Sequence, residues 1–560
     1  MKFSLILLLS LIFGFNLSAQ FEQKYSANIN SPDWIKLMYE VSVDPEKVMI
    51  AHDLYYQSHP LEKNEHTQFY KRWLRSFGRQ VSFSMDSKED LLYVKRSETL
   101  NANKDVNSEW ICIGPYDFDK EASSRSYAPG AAHVYTVERS FSNSDIMFAG
   151  SATSGLLKSI DAGSTWSLKT RNLVLNRIFA LEIDHSNPDI VYFESNGKLY
   201  NTIDGGESWS IIGDPVFQSE SHNVKDIVMH PNSSSELYLS SNKGFFKSMD
   251  SGLNWSEIMD GEFQEIELHP SNPSIIYTIK VVDNHTEFYK SINGGSSFTI
   301  QTNGWPSPTG TDDHQKRVEI AVTPANPSLI YANATGSANG GSGTYGIYLS
   351  EDEGVTWTFQ CCGNQPAGPP SLTNINMMGW DKEGEDDGGQ YYYDVGLAVD
   401  PVNPQKLHLG GVNHWVSTDA GATWVCPAKW SEPGEIGYVH ADIHDIRFFG
   451  TELWIACDGG IFMSNDGGTN MDKSQVGIEG TDFWGFGASP QSDVMLGGAY
   501  HNGTLLKDND TYINDWICTG GGDGVRGFVN FGNDRIAYDD YEGRILSGDR
   551  TMNINGFQFD

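Results

Sequence analysis

An eight-residue phrase that recurs seven times constrains the fold of this chain more than any other feature. Each copy starts with Ser or Thr and has Asp or Asn at its third position and Gly at its fifth, and six copies end on Trp or Phe. Regular recurrence of a short phrase indicates a repeat architecture, in which each unit packs on its neighbours. The copies are residues 159–166, 202–209, 248–255, 291–298, 350–357, 417–424 and the shorter 464–470.

The chemistry of the phrase is typical of a tight turn. A hydroxyl and a carboxylate can accept hydrogen bonds from backbone N–H groups of the same turn, and glycine supplies the positive φ that such a turn needs. The closing aromatic residue then enters the next strand and packs between neighbouring sheets. We therefore interpret the repeated aspartates as turn-stabilising residues and not as catalytic acids.

A second repeated phrase completes the unit. It consists of a short apolar strand, an Asn-Pro turn and a strand with an aromatic residue. Together the two phrases describe four strands joined by turns, which is one blade of an all-β propeller. A single blade cannot bury both of its faces, so the blades are expected to close into a ring. The Asn-Pro turns are Asn187-Pro188, Asn272-Pro273, Asn326-Pro327 and Asn403-Pro404.

The repeated phrase resembles the Asp-box of BNR-type repeats, and we call its seven copies the Asp-box turns. With several longer phrases it is similar to the exported, sortilin-like BNR propellers of Bacteroidetes-type bacteria, within the xyloglucanase and sialidase-like propeller superfamily. The resemblance implies a large Asp-box β-propeller and export, often through the type IX secretion pathway. It implies no particular activity, because one fold hosts many functions. The longer phrases are Tyr70-Lys-Arg-Trp73, Trp110-Ile-Cys-Ile-Gly114-Pro115, Gly389-Gln-Tyr-Tyr-Tyr-Asp394, His440-Ala-Asp442-Ile-His444-Asp445, Cys457-Asp458-Gly-Gly460 and Gly520-Gly-Gly-Asp523-Gly524.

The spacing of the Asp-box turns predicts the number of blades. Their third positions fall at 161, 204, 250, 293, 352, 419 and 466, against roughly 40–50 residues for one blade. Two weaker repeats follow, from Trp484 to Trp516 and from Gly527 to Arg550. Two counts are compatible with this spacing. One is a single ring of about 9–10 four-stranded blades, and the other is a seven-bladed ring followed by part of a second one.

The chain ahead of the repeats has a different character. Residues 1–19 combine Lys2, an apolar run and small residues before Gln20, which predicts a secretory signal peptide. Residues 20–100 carry apolar residues at helical spacing, so we expect a short helical extension there. Residues 101–560 then form the propeller. The predicted location is secreted or cell-surface, without insertion into a membrane.

The charge restricts the partners. The chain has 73 Asp and Glu residues against 38 Lys and Arg residues, a formal net charge of −35. Such a charge repels a phosphate backbone and excludes nucleic acid as a partner. It also disfavours acidic polysaccharides. An extracellular polysaccharide or a protein remains as the expected partner.

Strand order predicts where a site would lie. The Asp-box turns join third and fourth strands and share one rim, and the loops that can grow without disturbing a blade belong to the opposite rim. Two insertions fall there, residues 336–346 and 361–390. The second carries aromatic residues beside several acids, which favours sugar recognition, although such carboxylates could equally hold Ca²⁺ or belong to a plain solvated loop. The aromatic residues concerned are Trp380, Tyr391, Tyr392 and Tyr393.

The most compact set of reactive residues is the alternating series His440, Asp442 and His444. Alternate residues of a strand face one side, about 7 Å apart, and on an innermost strand that side is the central channel. Imidazoles with carboxylates could bind Zn²⁺, act as general acid and base, or line a polar channel without chemistry. The candidate catalytic acids are Asp442, Asp458 and Asp523, and the candidate binding histidines are His440, His444, His414 and His501.

Three functions are compatible with these residues. The primary hypothesis is a secreted or cell-surface propeller that recognises a polysaccharide or protein through the rim opposite the Asp-box turns. The alternative is a secreted polysaccharide-degrading enzyme, a glycoside hydrolase or lyase, that uses Asp and His residues of the channel. The second alternative is a structural or adhesion component of the cell envelope. Ca²⁺ and Zn²⁺ are the cofactors that these residues suggest, and neither is firmly expected.

Overall fold

A computed structural model divides the chain into two compact units, residues 1–110 and 111–560. The predicted signal peptide and most of residues 61–129 lie outside the described residues. The residues that the structure describes are 31–39, 45–60, 66–67, 70, 113–115, 130, 132–213, 217, 222–308, 313–338, 341–363, 375–490, 492–508, 516–520, 522–530, 536–538, 543–546 and 552–553.

The first unit contains two short helices, α1 (Asp33–Met38) and α2 (Pro45–Tyr56). Proline is favoured in the first turn of a helix, because its missing N–H has no partner there in any case, and α2 begins on Pro45. Trp34, Met38 and Val48 are buried between the helices. The predicted helical character is therefore confirmed for these two segments. Neither helix has the length and hydropathy that a membrane-spanning segment requires.

The second unit is built from antiparallel sheets in which each strand pairs with the next one along the chain. We number these sheets as blades. Blades 1 to 4 have four strands each. They are β1 (Val134–Arg139), β2 (Met147–Ser151), β3 (Leu156–Ser159) and β4 (Ser167–Leu168); β5 (Leu181–Ile183), β6 (Val191–Ser195), β7 (Lys198–Thr202) and β8 (Ser210–Ile212); β9 (Val224–Met229), β10 (Leu237–Ser241), β11 (Gly244–Ser248) and β12 (Ser256–Asp260); and β13 (Glu262–Leu268), β14 (Ile276–Val282), β15 (His285–Ser291) and β16 (Thr299–Gln301).

Blades 5 to 7 repeat the pattern, except that blade 6 has three strands. In blade 6 the place of a fourth strand is taken by a bridge between Val416 and Val425. The strands are β17 (His314–Val322), β18 (Ile330–Ala338), β19 (Gly341–Ser350) and β20 (Thr358–Cys361); β21 (Gly396–Val399), β22 (Leu407–Gly410) and β23 (His414–Ser417); and β24 (Ile443–Phe449), β25 (Glu452–Cys457), β26 (Gly460–Ser464) and β27 (Asp472–Lys473).

Two further four-stranded sheets follow, as the weaker repeats predict. They pack on each other through β28, β29 and β32. Their strands are β28 (Phe483–Ala488), β29 (Met495–Ala499), β30 (Gly503–Lys507) and β31 (Trp516–Gly520), then β32 (Phe528–Val529), β33 (Ile536–Tyr538), β34 (Gly543–Leu546) and β35 (Met552–Asn553).

Seven blades close into a ring. The innermost strands β1, β5, β9, β13, β17, β21 and β24 contact one another in this order, and β24 also contacts β1. The two last sheets therefore come after a complete ring. Of the two predicted counts, a seven-bladed ring followed by part of a second is the correct one.

Position within a blade decides the burial of each strand. The second strands β2, β6 and β10 are buried along their whole length, because neighbouring blades cover both of their faces. The outermost strands β8 and β12 are largely exposed. This is why the second strands read as continuous apolar runs in the sequence.

The Asp-box aspartates stabilise their own turns, as predicted. In the first copy Thr165 donates its backbone N–H to Asp161 Oδ1 at 2.8 Å and its hydroxyl to Asp161 Oδ2 at 2.6 Å. The backbone N–H of Gly163 donates to Ser159 Oγ at 2.8 Å, and Gly163 has a φ of +82°. The same bonds recur in the other copies. These carboxylates are thus hydrogen-bonded within their own turns, as expected of turn-stabilising residues.

The two predicted insertions differ in structure. Residues 336–346 largely extend β18 and β19 into a long hairpin. In the second insertion, Asp386 Oδ2 accepts the backbone N–H groups of Trp380 and Asp381 at 2.6 Å each. These acids therefore stabilise their own loop. At the start of this insertion, Cys361 and Cys362 form a disulfide between adjacent residues.

Candidate functional site at the rim opposite the Asp-box turns

Four of the predicted acids and histidines meet at the rim opposite the Asp-box turns. Asp442 precedes β24 and His444 lies on that strand, whereas Asp458 lies in the link between β25 and β26 and His501 in the link between β29 and β30. Because consecutive strands are antiparallel, the starts of innermost strands and the links from second to third strands share one rim. These residues therefore lie on the rim that the strand-order argument indicates.

Asp458 is the centre of a hydrogen-bonded network. His444 Nε2 donates to Asp458 Oδ1 at 2.7 Å, and His501 Nδ1 donates to Asp458 Oδ2 at 2.9 Å. The hydroxyl group of Tyr393 lies 3.0 and 3.2 Å from the two oxygens of the same carboxylate. The Asp458 side chain is 0% exposed, so protein groups rather than solvent satisfy it.

Asp442 provides the second carboxylate. Its Oδ2 lies 3.3 Å from His501 Nδ1, and its Oδ1 accepts a hydrogen bond from Gln390 Nε2 at 2.8 Å. Asp442 and His501 both have a left-handed backbone, with φ of +63° and +59°. Non-glycine residues adopt this conformation at a cost, and such strain concentrates at functional sites.

Asn502 holds the loop that carries His501 against the ring. Its Nδ2 donates to the carbonyl oxygen of Asp458 at 3.0 Å, and its Oδ1 accepts the backbone N–H of Gly130 at 2.5 Å. His133, just before β1, is 3.0 Å from the carbonyl oxygen of Tyr500 through Nε2. The network therefore joins the two ends of the seven-bladed ring to the first sheet that follows it.

The two carboxylates have opposite electrostatic environments. Burial works against ionisation of Asp458, but the imidazoles of His444 and His501 outweigh it and hold the Asp458 pKa well below its usual range. Burial raises the pKa of Asp442, an effect that His501 only partly offsets. Burial alone would lower the pKa of His501, yet its bonds to the two aspartates raise it to about 11. The imidazole and Asp458 therefore form an ion pair.

Asp394 is a further buried acid beside this network. It is 1% exposed, and neither of its carboxyl oxygens has a hydrogen-bond partner. Burial and the charge of Asp442 raise its pKa well above the usual range. An unsatisfied buried carboxyl group is costly, so this position calls for a functional explanation.

A run of aromatic rings crosses the same rim. Phe179 stacks on Tyr135 at 4.4 Å between centroids, and Tyr135 contacts His444 edge-on at 4.5 Å. The run continues from His444 to Tyr393 at 4.9 Å between centroids, then to His501 at 6.0 Å and to Tyr500 at 4.0 Å. Tyr500 stacks on Trp484 at 4.7 Å with an interplanar angle of 10°. The Trp484 side chain is 61% exposed, so the run ends on an open aromatic platform.

The other aromatic candidates lie outside this network. Trp380 and Tyr392 are exposed, and Tyr391 packs against the core of blades 5 and 6. Tyr393 is the one of the four that reaches the network, because its position beside β21 turns it toward blade 7. Asp523 is exposed, and its Oδ1 accepts the backbone N–H of His501 at 3.2 Å. Asp523 thus supports the loop rather than facing the carboxylates.

His440 does not share a face with Asp442 and His444, contrary to the prediction. The strand β24 begins only at Ile443, and the left-handed backbone of Asp442 breaks the expected alternation. His440 is buried against Gly459, and its Nδ1 lies 3.3 Å from the carbonyl oxygen of Ala441. The spacing of two residues therefore did not reflect a strand.

His414 is also separate from the network. Its ring stacks on that of His408, with His414 Nε2 3.0 Å from His408 Nδ1. His408 in turn contacts Phe448 of blade 7 at 5.6 Å between centroids. Both histidines are buried, and the start of the third strand turns His414 into the interface between blades instead of onto the rim.

The His408–His414 pair predicts sensitivity to acid. Burial lowers the pKa of His414 to about 4, whereas an unfolded histidine titrates near 6.5. The unfolded chain therefore binds more protons in this window, and the contribution present above about pH 6.5 is lost as the pH falls toward 4. The free energy of unfolding of the unaltered chain falls between pH 7 and pH 4.5. We expect this fall to be about 2–3 kcal/mol smaller in His414→Leu. Urea titrations at both pH values measure the free energy of unfolding. The same pH-dependent fall in the variant and in the unaltered chain would contradict the prediction.

The central channel contains an acidic wall that the sequence did not indicate. It encloses a cavity of about 660 Å³. Burial raises the pKa of Glu138 and of Glu267 to about 8, and that of Asp226 to about 6. These acids lie on amphipathic strands that look ordinary one at a time, so only the closed ring reveals their proximity. The wall carries Glu138, Glu182, Asp226, Glu265, Glu267, Glu319 and Asp445, with Arg447 among them.

Comparison with known proteins supports the architecture. No protein-family model and no curated protein sequence matches the chain. The GH74 enzyme of Niastella koreensis has a TM-score of 0.54 at 16% identity, covering 78% of this chain and 67% of its own. The GH74 xyloglucanase of Xanthomonas campestris has a TM-score of 0.55 at 12% identity, covering 77% and 68%. PorZ, a surface component of the type IX secretion system of Porphyromonas gingivalis, has a TM-score of 0.42 at 9% identity, covering 77% and 53%. The first two similarities show the propeller fold and nothing finer.

Proposed function

We propose that this chain is a secreted or cell-surface propeller that binds a neutral extracellular polysaccharide at the rim opposite the Asp-box turns. The observation that carries the proposal is the aromatic run that ends on Trp484, stacked on Tyr500 and 61% exposed. An exposed, supported aromatic face offers apolar contact area at little cost in side-chain entropy. Sugar rings have apolar faces that match it.

Polar groups beside the platform suit the hydroxyl groups of a sugar. Tyr500 adjoins His501, which connects the aromatic run to the carboxylates. Binding sites of this kind combine a mainly apolar surface with a few fixed polar groups that orient the ligand. The net charge of −35 favours a neutral polysaccharide over an acidic one.

The geometry of the carboxylates favours binding over hydrolysis. Glycoside hydrolases place two carboxyl groups on either side of the scissile bond, about 5–9.5 Å apart. Asp442 and Asp458 instead contact the same atom, His501 Nδ1, at 3.3 and 2.9 Å. The side chain of Asp458 is fully buried. A sugar cannot enter between two groups that share one hydrogen-bond donor.

Replacing Trp484 with alanine is expected to weaken polysaccharide binding by at least about tenfold, because the largest exposed stacking surface of the run is lost. Affinity electrophoresis against a panel of neutral plant and algal polysaccharides, followed by calorimetry on the retained one, measures it. Phe141→Ala is the matched control, since Phe141 is an equally exposed aromatic (71%) in the β1–β2 link at the other rim. Equal loss in both variants, or retention by no polysaccharide, would contradict the proposal.

Hydrolysis is the second candidate, and one observation favours it. The environments of Asp442 and Asp458 move their pKa values in opposite directions, as in pairs that divide acid and base roles. The same panel tests it through the release of reducing ends and unsaturated products. Product that disappears in Asp442→Ala would replace the binding proposal by an enzymatic one.

A further inference from the structure

Ligand-type atoms of three side chains converge where blade 7 meets the β29–β30 link. One side-chain atom each of Asp442, Asp458 and His501 lies within 4.8 Å of the other two. His501 Nδ1 is 2.9 Å from Asp458 Oδ2 and 3.3 Å from Asp442 Oδ2. A tetrahedral ion with bonds of about 2.0–2.2 Å separates its ligand atoms by about 3.3–3.5 Å. The nitrogen–oxygen distances are thus already close to those of a coordinated ion.

Asp394 is an independent sign that a cation belongs here. Its carboxyl group is 1% exposed, and neither of its oxygens has a hydrogen-bond partner. Burying another acid beside two carboxylates is unfavourable by itself. A dication held by Asp442 and Asp458 would offset that cost.

The groups behind the ligand atoms are those that position metal ligands. His444 lies 2.7 Å from Asp458 Oδ1, the Tyr393 hydroxyl lies 3.0 and 3.2 Å from the two Asp458 oxygens, and Gln390 donates to Asp442 Oδ1. These contacts orient both carboxylates, and Oδ2 of each lies within hydrogen-bond distance of His501 Nδ1. Outer partners of this kind fix the orientation of the ligands and raise their affinity.

We propose that Asp442, Asp458 and His501 bind a divalent transition-metal ion of the Zn²⁺ class. Imidazole with carboxylate oxygens suits Zn²⁺ and its neighbours, whereas Ca²⁺ takes six to eight oxygen ligands. The ion takes the place of the hydrogen on His501 Nδ1, and the imidazole then keeps its proton on Nε2. Because Asp442 and Asp458 belong to blade 7 and His501 to the β29–β30 link, the ion joins the ring to the sheet that follows it. This proposal goes beyond polysaccharide binding and does not depend on it.

Metal analysis of the full chain tests the site. We expect the purified protein, stripped with EDTA and titrated with ZnCl₂ in a calorimeter, to bind one Zn²⁺ per chain. His501→Ala and Asp442→Asn are each expected to weaken this binding by at least about 100-fold, and Tyr393→Phe by about tenfold. His185→Ala is the matched control, because His185 lies 3.1 Å from one carboxylate, that of Glu182, and should leave Zn²⁺ binding unchanged.

Thermal unfolding of the unaltered chain tests the site without any variant, so it remains informative if a variant fails to fold. We expect ZnCl₂ to raise the Tm of the stripped protein and CaCl₂ at the same concentration to leave it unchanged, since a ligand stabilises the state that binds it. No Zn²⁺ binding by the unaltered protein, equal effects of both salts, or equal affinity in the folded His501→Ala variant would overturn the proposal. None of these measurements involves a polysaccharide, so the two proposals fail separately.

Discussion

Replacing Trp166 with alanine is expected to lower the free energy of unfolding by about 3–5 kcal/mol, the largest effect of any single change proposed for this chain. Trp166 closes the first Asp-box turn, is 5% exposed, and packs with Trp454 of blade 7. Its indole Nε1 lies 3.1 Å from both the carbonyl oxygen and the hydroxyl group of Ser474. Its backbone N–H donates to the carbonyl oxygen of Val476 at 2.8 Å.

Trp166 lies where the ring closes, so its replacement should affect more than the packing of one buried indole. Every other pair of neighbouring blades is joined by the chain, whereas blades 1 and 7 meet at the one seam that side chains and backbone hydrogen bonds must hold. We therefore expect the variant to lose cooperativity as well, with a smaller dependence of the unfolding free energy on denaturant.

Trp424→Ala is the matched control for the seam. Trp424 is 7% exposed, and its indole Nε1 donates within its own turn, to the carbonyl oxygen of Gly421 at 3.0 Å. Its loss should cost stability without affecting cooperativity. Guanidinium titrations followed by tryptophan fluorescence and circular dichroism compare the two. Equal stability and equal cooperativity in both variants would show that the seam has no special role.

The blade was predictable from sequence because its determining interactions are local. The carboxylate of Asp161 is satisfied within four residues, by Ser159 and Thr165. A short phrase therefore carries the whole turn. The number of blades in the ring depends instead on contacts between β1 and β24, which are some 300 residues apart, and spacing alone left two counts open.

The sequence indicated on which rim these residues lie, but not which side chains contact one another there. Strand order placed Asp442, Asp458 and His501 on the correct rim, since it follows from alternating strand direction. The contacts of Tyr393 and Gln390 depend on how the link before β21 crosses to blade 7, and no local pattern encodes this. His440 failed as a prediction because one left-handed residue, Asp442, ended the assumed alternation.

Blade closure also explains why the acidic channel is absent from the sequence analysis. Every innermost strand except β21 contributes one or two acids that would be solvated in an isolated blade. The closed ring brings them together, and burial then raises the pKa of Glu138 and Glu267 to about 8. The channel is thus a property of the ring, and Arg447 supplies the counter-charge beside Glu138 and Asp445.

Replacing Arg447 with methionine is expected to destabilise the ring by about 2–3 kcal/mol at pH 8 and by clearly less at pH 5. Arg447 Nε donates to Asp445 Oδ2 at 2.9 Å, and its guanidinium group also pairs with Glu138. Removing Arg447 leaves buried carboxylates without their counter-charge. The free-energy cost of an unpaired buried charge is larger than the stabilisation that the ion pair provides. The arginine side chain is 33% exposed, so solvent moderates the effect.

The pH dependence of this loss follows from the acids of the wall. A carboxyl group whose pKa is raised from 4.5 to about 8 by burial, as in Glu138 and Glu267, keeps its proton in the folded state longer than in the unfolded state. The stability it allows is fully present below about pH 4.5 and is lost as the pH rises toward 8. Without Arg447 these pKa values rise further, so the loss at pH 8 deepens, whereas at pH 5 most of the wall is already protonated.

Melting temperatures of Arg447→Met at pH 5 and pH 8 check the prediction. Arg139→Met is the control, because Arg139 pairs with Glu452 at 2.5 Å and does not line the cavity, so its effect should be similar at both pH values. Arg447→Lys keeps the positive charge and should recover part of the loss at pH 8. Equal destabilisation by Arg447→Met at the two pH values would mean that the wall acids are ionised independently of Arg447.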